Sequence, residues 1–370
     1  MISLDNSISD HRSDSAGRMK KYAALVDELH ILVLGGHDGN RSEGNLFIYS
    51  VPRRGKIAAF FSARKIGAGI VKKNNIEVIT AQDPFFTGLI GRLIKNKNTG
   101  LNVEVHGDFY STDFWKKYSP GWPFRLLLGK FILRRADGIR VVSERVRKSL
   151  TDKLKIPSEK IVKIPVFTET NIVIHEAAVD LHSKFHTPWI VMGVGSFRRE
   201  KNFSALIKAM PDVLTGCPGA RLVLIGAGPE ERVLRALTRR IGLNEKAQFL
   251  GELKHDKMLA YLKQADVLAI PSLTESWSRV AVEAAALDVP VVMSNVGLAG
   301  EVIVGGVSGE VIGAANPQKL AEAVARILKE PNLRARYAAA AKAAISKLPS
   351  EAETMMMIKQ SWAKVSRGNE

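Results

Sequence analysis

The chain has 370 residues, 46% of them hydrophobic and 25% charged, which is typical of a folded globular protein and excludes a disordered one. That length suits two domains, each large enough to bury its own core. Its 54 Lys and Arg residues outnumber 37 Asp and Glu residues, giving a net charge of +17. The single cysteine, Cys217, excludes an intramolecular disulfide and a multi-cysteine zinc site.

No stretch of the sequence approaches the roughly 18 uncharged apolar residues that a membrane-spanning helix needs. The first residues also lack the basic and apolar regions of a secretory signal. We therefore expect a cytoplasmic protein.

Short apolar segments alternate with helical patterns along the first half of the chain. The sequence predicts strands at residues 29–34, 76–80, 101–105, 138–142 and 161–164, and helices at 58–70, 84–94 and 123–135. Strands that alternate with helices form right-handed βαβ units and a parallel sheet covered on both faces. The pattern predicts an α/β, Rossmann-like domain.

The same alternation repeats in the second half. Strands are predicted at residues 190–194, 222–225, 267–270 and 290–293, and helices at 203–214, 230–241 and 281–286. We therefore expect two doubly wound parallel-sheet domains, residues 1–185 and 186–348, with the boundary in the polar stretch 175–187. Each such sheet binds ligands at the carboxyl ends of its strands, so two sheets facing each other would enclose a cleft.

Residues 349–370 follow two alanine-rich helical patterns and carry three consecutive methionines and a tryptophan. Two interpretations of this segment remain open. It is either a final helix that crosses back to the first domain or an ordinary helix that caps the second domain with its apolar stripe in the core.

Glu275 and Glu283 have seven residues between them. Glu275 falls at a strand-to-helix turn, and Glu283 falls within the helix. A helix N-terminus at the carboxyl end of a strand offers free N–H groups and a positive dipole end, which suit a phosphate. The two carboxylates could then accept hydrogen bonds from the hydroxyls of a sugar and a ribose. The alternative is that both are acidic residues favoured near any helix start.

The run from Pro271 to Ala284 resembles the E-x7-E signature of the retaining GT-B glycosyltransferases of family 4. Four further runs occur in the order of that family's motifs. Residues 195–202 resemble G-R-L-x-x-E-K-N, and residues 222–229 resemble a strand followed by G-x-G-P. Residues 249–251 resemble F-x-G, and residues 291–309 resemble P-V-V-x-S-x-x-G-x-x-E and the glycine after it. Five motifs in one order are far more specific than any one of them. The resemblance covers most of the second half of the chain.

This resemblance implies a GT-B fold and a retaining glycosyltransferase of polysaccharide biosynthesis. The donor would be a nucleoside diphosphate sugar, and the acceptor a glycan or a polyprenol-linked glycan. Two alternatives stay open: a catalytically silent GT-B-like protein that binds nucleotide sugars, and a nucleotide-sugar epimerase. The resemblance implies no cofactor and no metal, because fixed cations would stabilise the leaving diphosphate and nothing here resembles an aspartate-x-aspartate metal cluster.

Lys201 matches the lysine of the family's motif and is our candidate for stabilising the leaving phosphate. It would otherwise be a solvated lysine before a helix. The arginine that normally follows the motif's first glycine is Ser196 here, which leaves Arg198 or Arg199 as the candidate replacement cation. This substitution is also what favours the silent binding protein.

Ser276, Trp277 and Ser278 follow Glu275 at the expected phosphate site, and Ser278 stands where the family has glycine. Its hydroxyl can donate to a phosphate, more weakly than a cation does. In the first domain, His106 ends a predicted strand near the position where the family has a histidine that contacts the donor sugar. His106 is therefore a candidate sugar contact and stabiliser of the developing cation, or else a histidine satisfied by neighbouring backbone.

The positive charge is uneven, since residues 1–185 hold 30 Lys and Arg against 19 Asp and Glu. Within this half, the segment from Trp115 to Lys130 mixes aromatic, aliphatic and basic residues, which suits docking on an anionic membrane surface. A solvated basic face over an ordinary core stripe explains it equally well. Nucleic acid is not expected as a partner, because no recognised nucleic-acid module occurs.

Overall fold

The computed structural model describes residues 1–35, 39–51, 55–176, 180–314 and 316–366. The chain divides into two compact units: the first contains Met1–Pro165 and Pro349–Glu370, and the second contains Val166–Leu348. The division therefore falls before the polar stretch 175–187, of which residues 177–179 lie outside the described residues. Irregular chain follows the last strand of the first unit, so strand and helix patterns could not locate the division.

The first unit contains a mixed sheet. Its strands, in chain order, are β1 (Ile2–Ser3), β2 (Leu29–Leu34), β3 (Arg41–Glu43), β4 (Leu46–Val51), β5 (Val78–Ala81), β6 (Gly100–Val105), β7 (Gly138–Val141) and β8 (Ile161–Lys163). They lie in the order β3-β4-β2-β1-β5-β6-β7-β8, and β3 is antiparallel to β4 whereas the other pairs are parallel. Strands β1, β3 and β4 were not predicted from the sequence: β1 has two residues, and β3 is polar and mostly exposed.

In the described residues before the second unit, the α-helices are α1 (Asp14–Ala23), α2 (Lys56–Lys73), α3 (Phe86–Ile94), α4 (Phe114–Tyr118), α5 (Trp122–Arg135) and α6 (Glu144–Leu154). Apolar side chains of α3, α5 and α6 are buried against the central strands, in which β6 and β7 are buried along their whole length. That burial follows from parallel pairing, because crossover helices cover both faces of the sheet.

The second unit contains a parallel sheet. Its strands are β9 (Trp189–Val194), β10 (Ala220–Ile225), β11 (Ala247–Phe249), β12 (Val267–Ile270), β13 (Val291–Ser294) and β14 (Glu310–Ile312). Its helices are α7 (Leu181–Phe185), α8 (Phe203–Gly216), α9 (Glu231–Arg240), α10 (His255–Leu262), α11 (Arg279–Ala286), α12 (Pro317–Lys329) and α13 (Pro331–Ile345). The strand order is β11-β10-β9-β12-β13-β14. The four strands and three helices predicted for this half are present, as β9, β10, β12 and β13 and as α8, α9 and α11, whereas β11, β14, α7 and α10 were not predicted.

The strand order of the second unit creates a topological switch point. From β9 the chain moves outward on one side through β10 and β11, and then returns to place β12 on the other side of β9. The connections on the two sides diverge there, which opens a crevice at the carboxyl ends of β9 and β12. Ligands of open α/β sheets bind in such crevices.

The last helix, α14 (Glu351–Ala363), belongs to the first unit. It begins with a capping box, in which the Ser350 hydroxyl accepts from the Glu353 N–H and the Glu353 carboxylate accepts from the Ser350 N–H. Its buried side chains include Ile358 and Trp362, and the Trp362 ring contacts Tyr22 edge-on at 5.8 Å between centroids. The apolar stripe of this segment is therefore buried in the first unit. Among the described helices, none is long and apolar enough to span a membrane.

Candidate functional site

Lys201 and Glu275 meet at the switch point of the second unit. Lys201 ends a short 3-10 turn after β9, Glu275 lies in the turn after β12, and Lys201 Nζ is 2.5 Å from Glu275 Oε1. The Ser272 hydroxyl donates to the same carboxylate oxygen at 2.9 Å. The side chains of the pair are 27% and 11% exposed, so the ion pair is partly shielded from solvent but open on one side.

Two hydrogen bonds to backbone carbonyls join the turn that carries Lys201 to the turn that carries Glu275. The Leu273 N–H donates to Glu200 O at 2.8 Å, and the Asn202 side-chain amide donates to Pro271 O at 3.1 Å. The two residues that sequence patterns singled out separately are therefore held together by the fold.

The G-x-G motif after β10 allows this turn to approach the turn after β9. A Cβ on Gly226 would lie 1.9 Å from Gly195 O, and one on Gly228 would lie 2.6 Å from Phe197 O. Both glycines have positive φ, +138° and +158°, which other residues rarely adopt. Phe197 is fully buried, and its N–H donates to Ala227 O at 2.8 Å. The motif therefore needs glycine so that the turn after β10 can pack against the turn after β9, which forms one side of the crevice.

The turn that starts α11 holds two buried hydrogen-bonding groups without a partner in the described part of the chain: Trp277 Nε1 and Ser278 Oγ. Trp277 and Ser278 are 3% and 8% exposed, and Ser278 has a φ of +98°. Ser278 occupies the N-cap position of α11 without making a side-chain cap. Buried polar groups are nearly always satisfied, so this turn suits a ligand that supplies acceptors.

Gly297, in the turn after β13, closes this region from the other side. Its φ is +59°, and a Cβ there would lie 2.5 Å from Trp277 O and 2.9 Å from Glu275 Cβ. The next residue, Leu298, donates its N–H to the same Trp277 carbonyl at 3.0 Å. The backbone that carries Glu275 and Trp277 is therefore tightly fixed.

Glu283, the predicted ribose contact, is buried in the second turn of α11 and already has partners. Its Oε1 lies 2.9 Å from His255 Nε2, at the start of α10, and 3.7 Å from the guanidinium of Arg279. The spacing of Arg279 and Glu283, four residues apart on one helix, is a signal that sequence reasoning could have used. No local pattern indicates His255, because β12 and its flanking loops separate it from Glu283 in the chain.

The other residues of the predicted phosphate site lie on the same two turns. Ser196 and Arg198 are exposed on the turn after β9, where the Arg198 N–H donates to Ser196 O at 2.8 Å. Ser276 is half-buried between Glu275 and Trp277. Arg198 thus shares a turn with Lys201, and its guanidinium is accessible to a ligand.

In the first unit, His106 follows β6, and its partner is a side chain rather than backbone. His106 Nε2 lies 2.8 Å from Glu104 Oε2, and the Arg140 guanidinium donates to the same oxygen at 3.0 Å. Burial raises the pKa of the Glu104 carboxyl, but the nearby charge of Arg140 and the hydrogen bonds from His106 and Thr80 outweigh it and lower the pKa to about 2. Glu104 and Arg140 were not predicted as site residues, although charged residues inside the mainly apolar strands β6 and β7 are an unusual signal.

Among the residues that the structure describes, no group of three or more His, Cys, Asp or Glu side chains is arranged to hold a metal ion. Independence from metal stays a prediction.

Family models match both halves of the chain. Residues 20–171 match the family described as Glycosyltransferase Family 4, and residues 177–344 match Glycosyl transferases group 1. The chain belongs to this glycosyltransferase family. The second match spans every turn of the switch-point site, so the paired Lys201 and Glu275 lie within the glycosyltransferase module.

Curated relatives include glycosyltransferases from several organisms. An uncharacterised glycosyltransferase of Methanocaldococcus jannaschii is 26% identical over 83% of this chain and 82% of its own length. A GDP-mannose-dependent phosphatidylinositol monomannoside mannosyltransferase of Corynebacterium glutamicum is 35% identical over 39% of each chain. By its family, this protein is a transferase enzyme.

Solved structures show the GT-B fold. A sucrose-phosphate synthase from Thermosynechococcus elongatus superposes with a TM-score of 0.79 at 20% identity, covering 98% of this chain and 97% of the other. Anabaena HepE, solved with UDP and glucose, superposes with a TM-score of 0.76 at 16% identity, covering 98% of each chain. The predicted fold class is confirmed.

Proposed function

We propose that this glycosyltransferase moves a sugar from a nucleoside diphosphate sugar to a glycan or lipid-linked acceptor, with retention of anomeric configuration. One observation carries the proposal. At the switch point of the second unit, the Lys201–Glu275 ion pair lies on turns shared with two unsatisfied buried groups and the N-terminus of α11.

The chemistry of these groups matches a diphosphate attached to a sugar. As the bond from the anomeric carbon to the phosphate oxygen breaks, negative charge develops on the leaving diphosphate. Lys201 supplies a fixed positive charge, and the first N–H groups of α11 and the Ser278 hydroxyl supply hydrogen bonds. Glu275, an acceptor only, suits sugar hydroxyls and orients Lys201 until the donor binds.

The names of relatives and structural neighbours favour a nucleotide sugar. Anabaena HepE has been solved with UDP-glucose, and the corynebacterial relative depends on GDP-mannose. Retention is proposed because the run from Pro271 to Ala284 resembles the signature of the retaining family.

The acceptor proposal rests on the exposed face of α5 in the first unit. Phe124, Leu127 and Phe131 are 71%, 68% and 44% exposed and recur at helical spacing, forming an apolar stripe. By contrast, the rings of Trp115 and Trp122 stack on each other at 5.5 Å between centroids. The structure therefore divides the predicted membrane segment into an internal tryptophan pair and an external phenylalanine and leucine stripe.

Exposed basic side chains lie on α4 and α5. Lys116 and Lys117 are exposed on α4, and Arg125 and Arg134 are exposed on α5. An apolar stripe flanked by cations fits the surface of an anionic membrane, where a lipid-linked acceptor would be presented. We propose that the enzyme docks peripherally on such a surface. The name of the corynebacterial relative, which acts on a phosphatidylinositol mannoside, supports a lipid-linked acceptor.

The experiment is a panel of UDP-, GDP- and ADP-sugars, with thermal shift and nucleotide release measured for each. We expect one donor class to stabilise the protein and to release nucleoside diphosphate when an acceptor extract is added. NMR of the product should then show the anomeric configuration of the donor. No stabilisation by any nucleotide sugar would contradict the donor proposal, and an inverted product would contradict retention alone.

A further inference from the structure

A buried charge network in the sheet of the first unit holds the ring of His106 from one side. Glu104 and Arg140 are directly opposite each other in the register of β6 and β7 and are only 1% and 5% exposed. The Glu104 Oε2 atom accepts from Arg140 at 3.0 Å and lies 2.8 Å from His106 Nε2. The His106 side chain is 38% exposed, so its other edge is accessible.

The second oxygen of Glu104 is also engaged, because the Thr80 hydroxyl donates to Oε1 at 3.0 Å. The carboxylate thus has a cation beside it and donors on both oxygens, and the pKa of Glu104 falls to about 2 although burial alone would raise it. An ionised carboxylate can only accept hydrogen bonds. The proton in its contact with His106 must therefore sit on Nε2.

With the proton on Nε2, a neutral His106 leaves Nδ1 unprotonated at its accessible edge. A neutral imidazole with its proton on Nε2 has a lone pair on Nδ1, so Nδ1 accepts a hydrogen bond and does not donate one. We propose that Glu104, supported by Arg140, is a positioning residue that fixes His106 with Nε2–H toward the sheet and presents Nδ1 as an acceptor for a substrate hydroxyl. The inference rests on the proposed function, in which His106 contacts the donor sugar.

A buried ion pair is weak evidence for stability, so the Glu104–Arg140 pair can be exchanged for apolar residues. Removing two charged groups from water is unfavourable, and well-packed apolar pairs of similar volume often serve a core equally well. The double substitution Glu104→Leu/Arg140→Met therefore removes the support for His106 without leaving an unpaired buried charge. His106 itself is unchanged in this variant.

The direct test is NMR of the full chain labelled with 15N-histidine, with the His106 signals assigned by their loss in His106→Gln. We expect a slowly exchanging proton on Nε2 and an unprotonated Nδ1 near neutral pH. In Glu104→Leu/Arg140→Met, the Nε2 proton should exchange rapidly with water. A proton on Nδ1 of the parent protein overturns the inference, and this measurement does not depend on whether the variant folds.

Kinetics then separate positioning from fold stability. We expect Glu104→Leu/Arg140→Met to lose about 10- to 100-fold in kcat, with little change in the KM for the donor, because the ring is displaced rather than removed. His106→Asn, whose amide oxygen can occupy the place of Nδ1, should retain more activity than His106→Gln. Parent-like kcat in the folded double variant, or His106→Gln more active than His106→Asn, would contradict the inference.

Activity of His106→Ala separates the proposed function from the positioning role of Glu104. Full activity of His106→Ala would remove His106 from the proposed function. The parent protein would still show the protected proton on His106 Nε2. An inactive His106→Ala together with a fully active Glu104→Leu/Arg140→Met would leave the proposed function intact and refute the positioning role alone.

Discussion

Replacing Ser278 with glycine should make the protein more stable and less active at the same time. Ser278 has a φ of +98° and a hydroxyl that is buried without a partner in the described residues. A non-glycine residue in left-handed backbone costs about 1–2 kcal/mol, and an unsatisfied buried polar group costs about 1–3 kcal/mol. Glycine removes both costs but loses roughly 0.4–1 kcal/mol through greater freedom of the unfolded chain.

The expected net stabilisation of Ser278→Gly is about 1–2 kcal/mol at the low end of these ranges. For a unit of this size, each kcal/mol raises Tm by roughly 2–4 °C, so the variant should melt several degrees higher. The same hydroxyl is proposed to donate to the charged diphosphate, a hydrogen bond that contributes about 1.5–3 kcal/mol. Its loss should lower kcat/KM for the donor by at least about tenfold.

Two control variants separate strain from hydroxyl chemistry. Ser278→Ala should lose the same activity but gain less stability, because the strained φ remains. Lys155→Gly changes another left-handed residue, in the C-cap of α6, and should stabilise the protein without changing activity. Differential scanning calorimetry and donor-dependent initial rates are the assays. A stabilised and fully active Ser278→Gly would show that the hydroxyl does not serve the donor, and a destabilised one would refute the strain argument.

Three further predictions follow from the site and its surroundings. Calorimetric titration should show that Glu283→Ala weakens binding of both free nucleoside diphosphate and donor, whereas Glu275→Ala weakens only the donor; equal losses on the free nucleotide would contradict the ribose and sugar assignments. Activity should survive EDTA because fixed cations and the helix dipole stabilise the leaving charge; a loss that Mg2+ or Mn2+ restores would refute metal independence. Replacing Phe124, Leu127 and Phe131 with serine should abolish co-sedimentation with anionic vesicles, and parent-like sedimentation would make this stripe irrelevant to docking.

The crevice of the second unit could be predicted from sequence because its determinants are local. Glycines with positive φ mark turns that must approach each other. The backbone at Gly226 and Gly228 lies so close to the turn after β9 that a side chain at either position would clash with it. The strands before these turns are mainly apolar and are followed by amphipathic helices, so the presence of these strands and helices was predictable. Lys201 and Glu275 then meet because β9 and β12 are neighbours in the sheet.

What sequence could not supply was pairing between distant residues. Glu104 and Arg140 face each other only through the register of β6 and β7, and His255 reaches Glu283 from a separate helix. The short strands β1 and β3 carry too few apolar residues to show the alternation of apolar and polar positions that predicts a strand. Trp115 and Trp122 matched an interfacial composition, yet their mutual stacking depends on the turn between α4 and α5.

The central claim is that Lys201 stabilises the leaving diphosphate at the switch point of the second unit. Its most direct test is kcat of Lys201→Ala at saturating donor, with donor affinity measured separately by calorimetry. A charge-assisted contact contributes about 1.5–3 kcal/mol, and more once the leaving charge has developed, so kcat should fall further than affinity. Unchanged kcat at saturating donor would contradict the account.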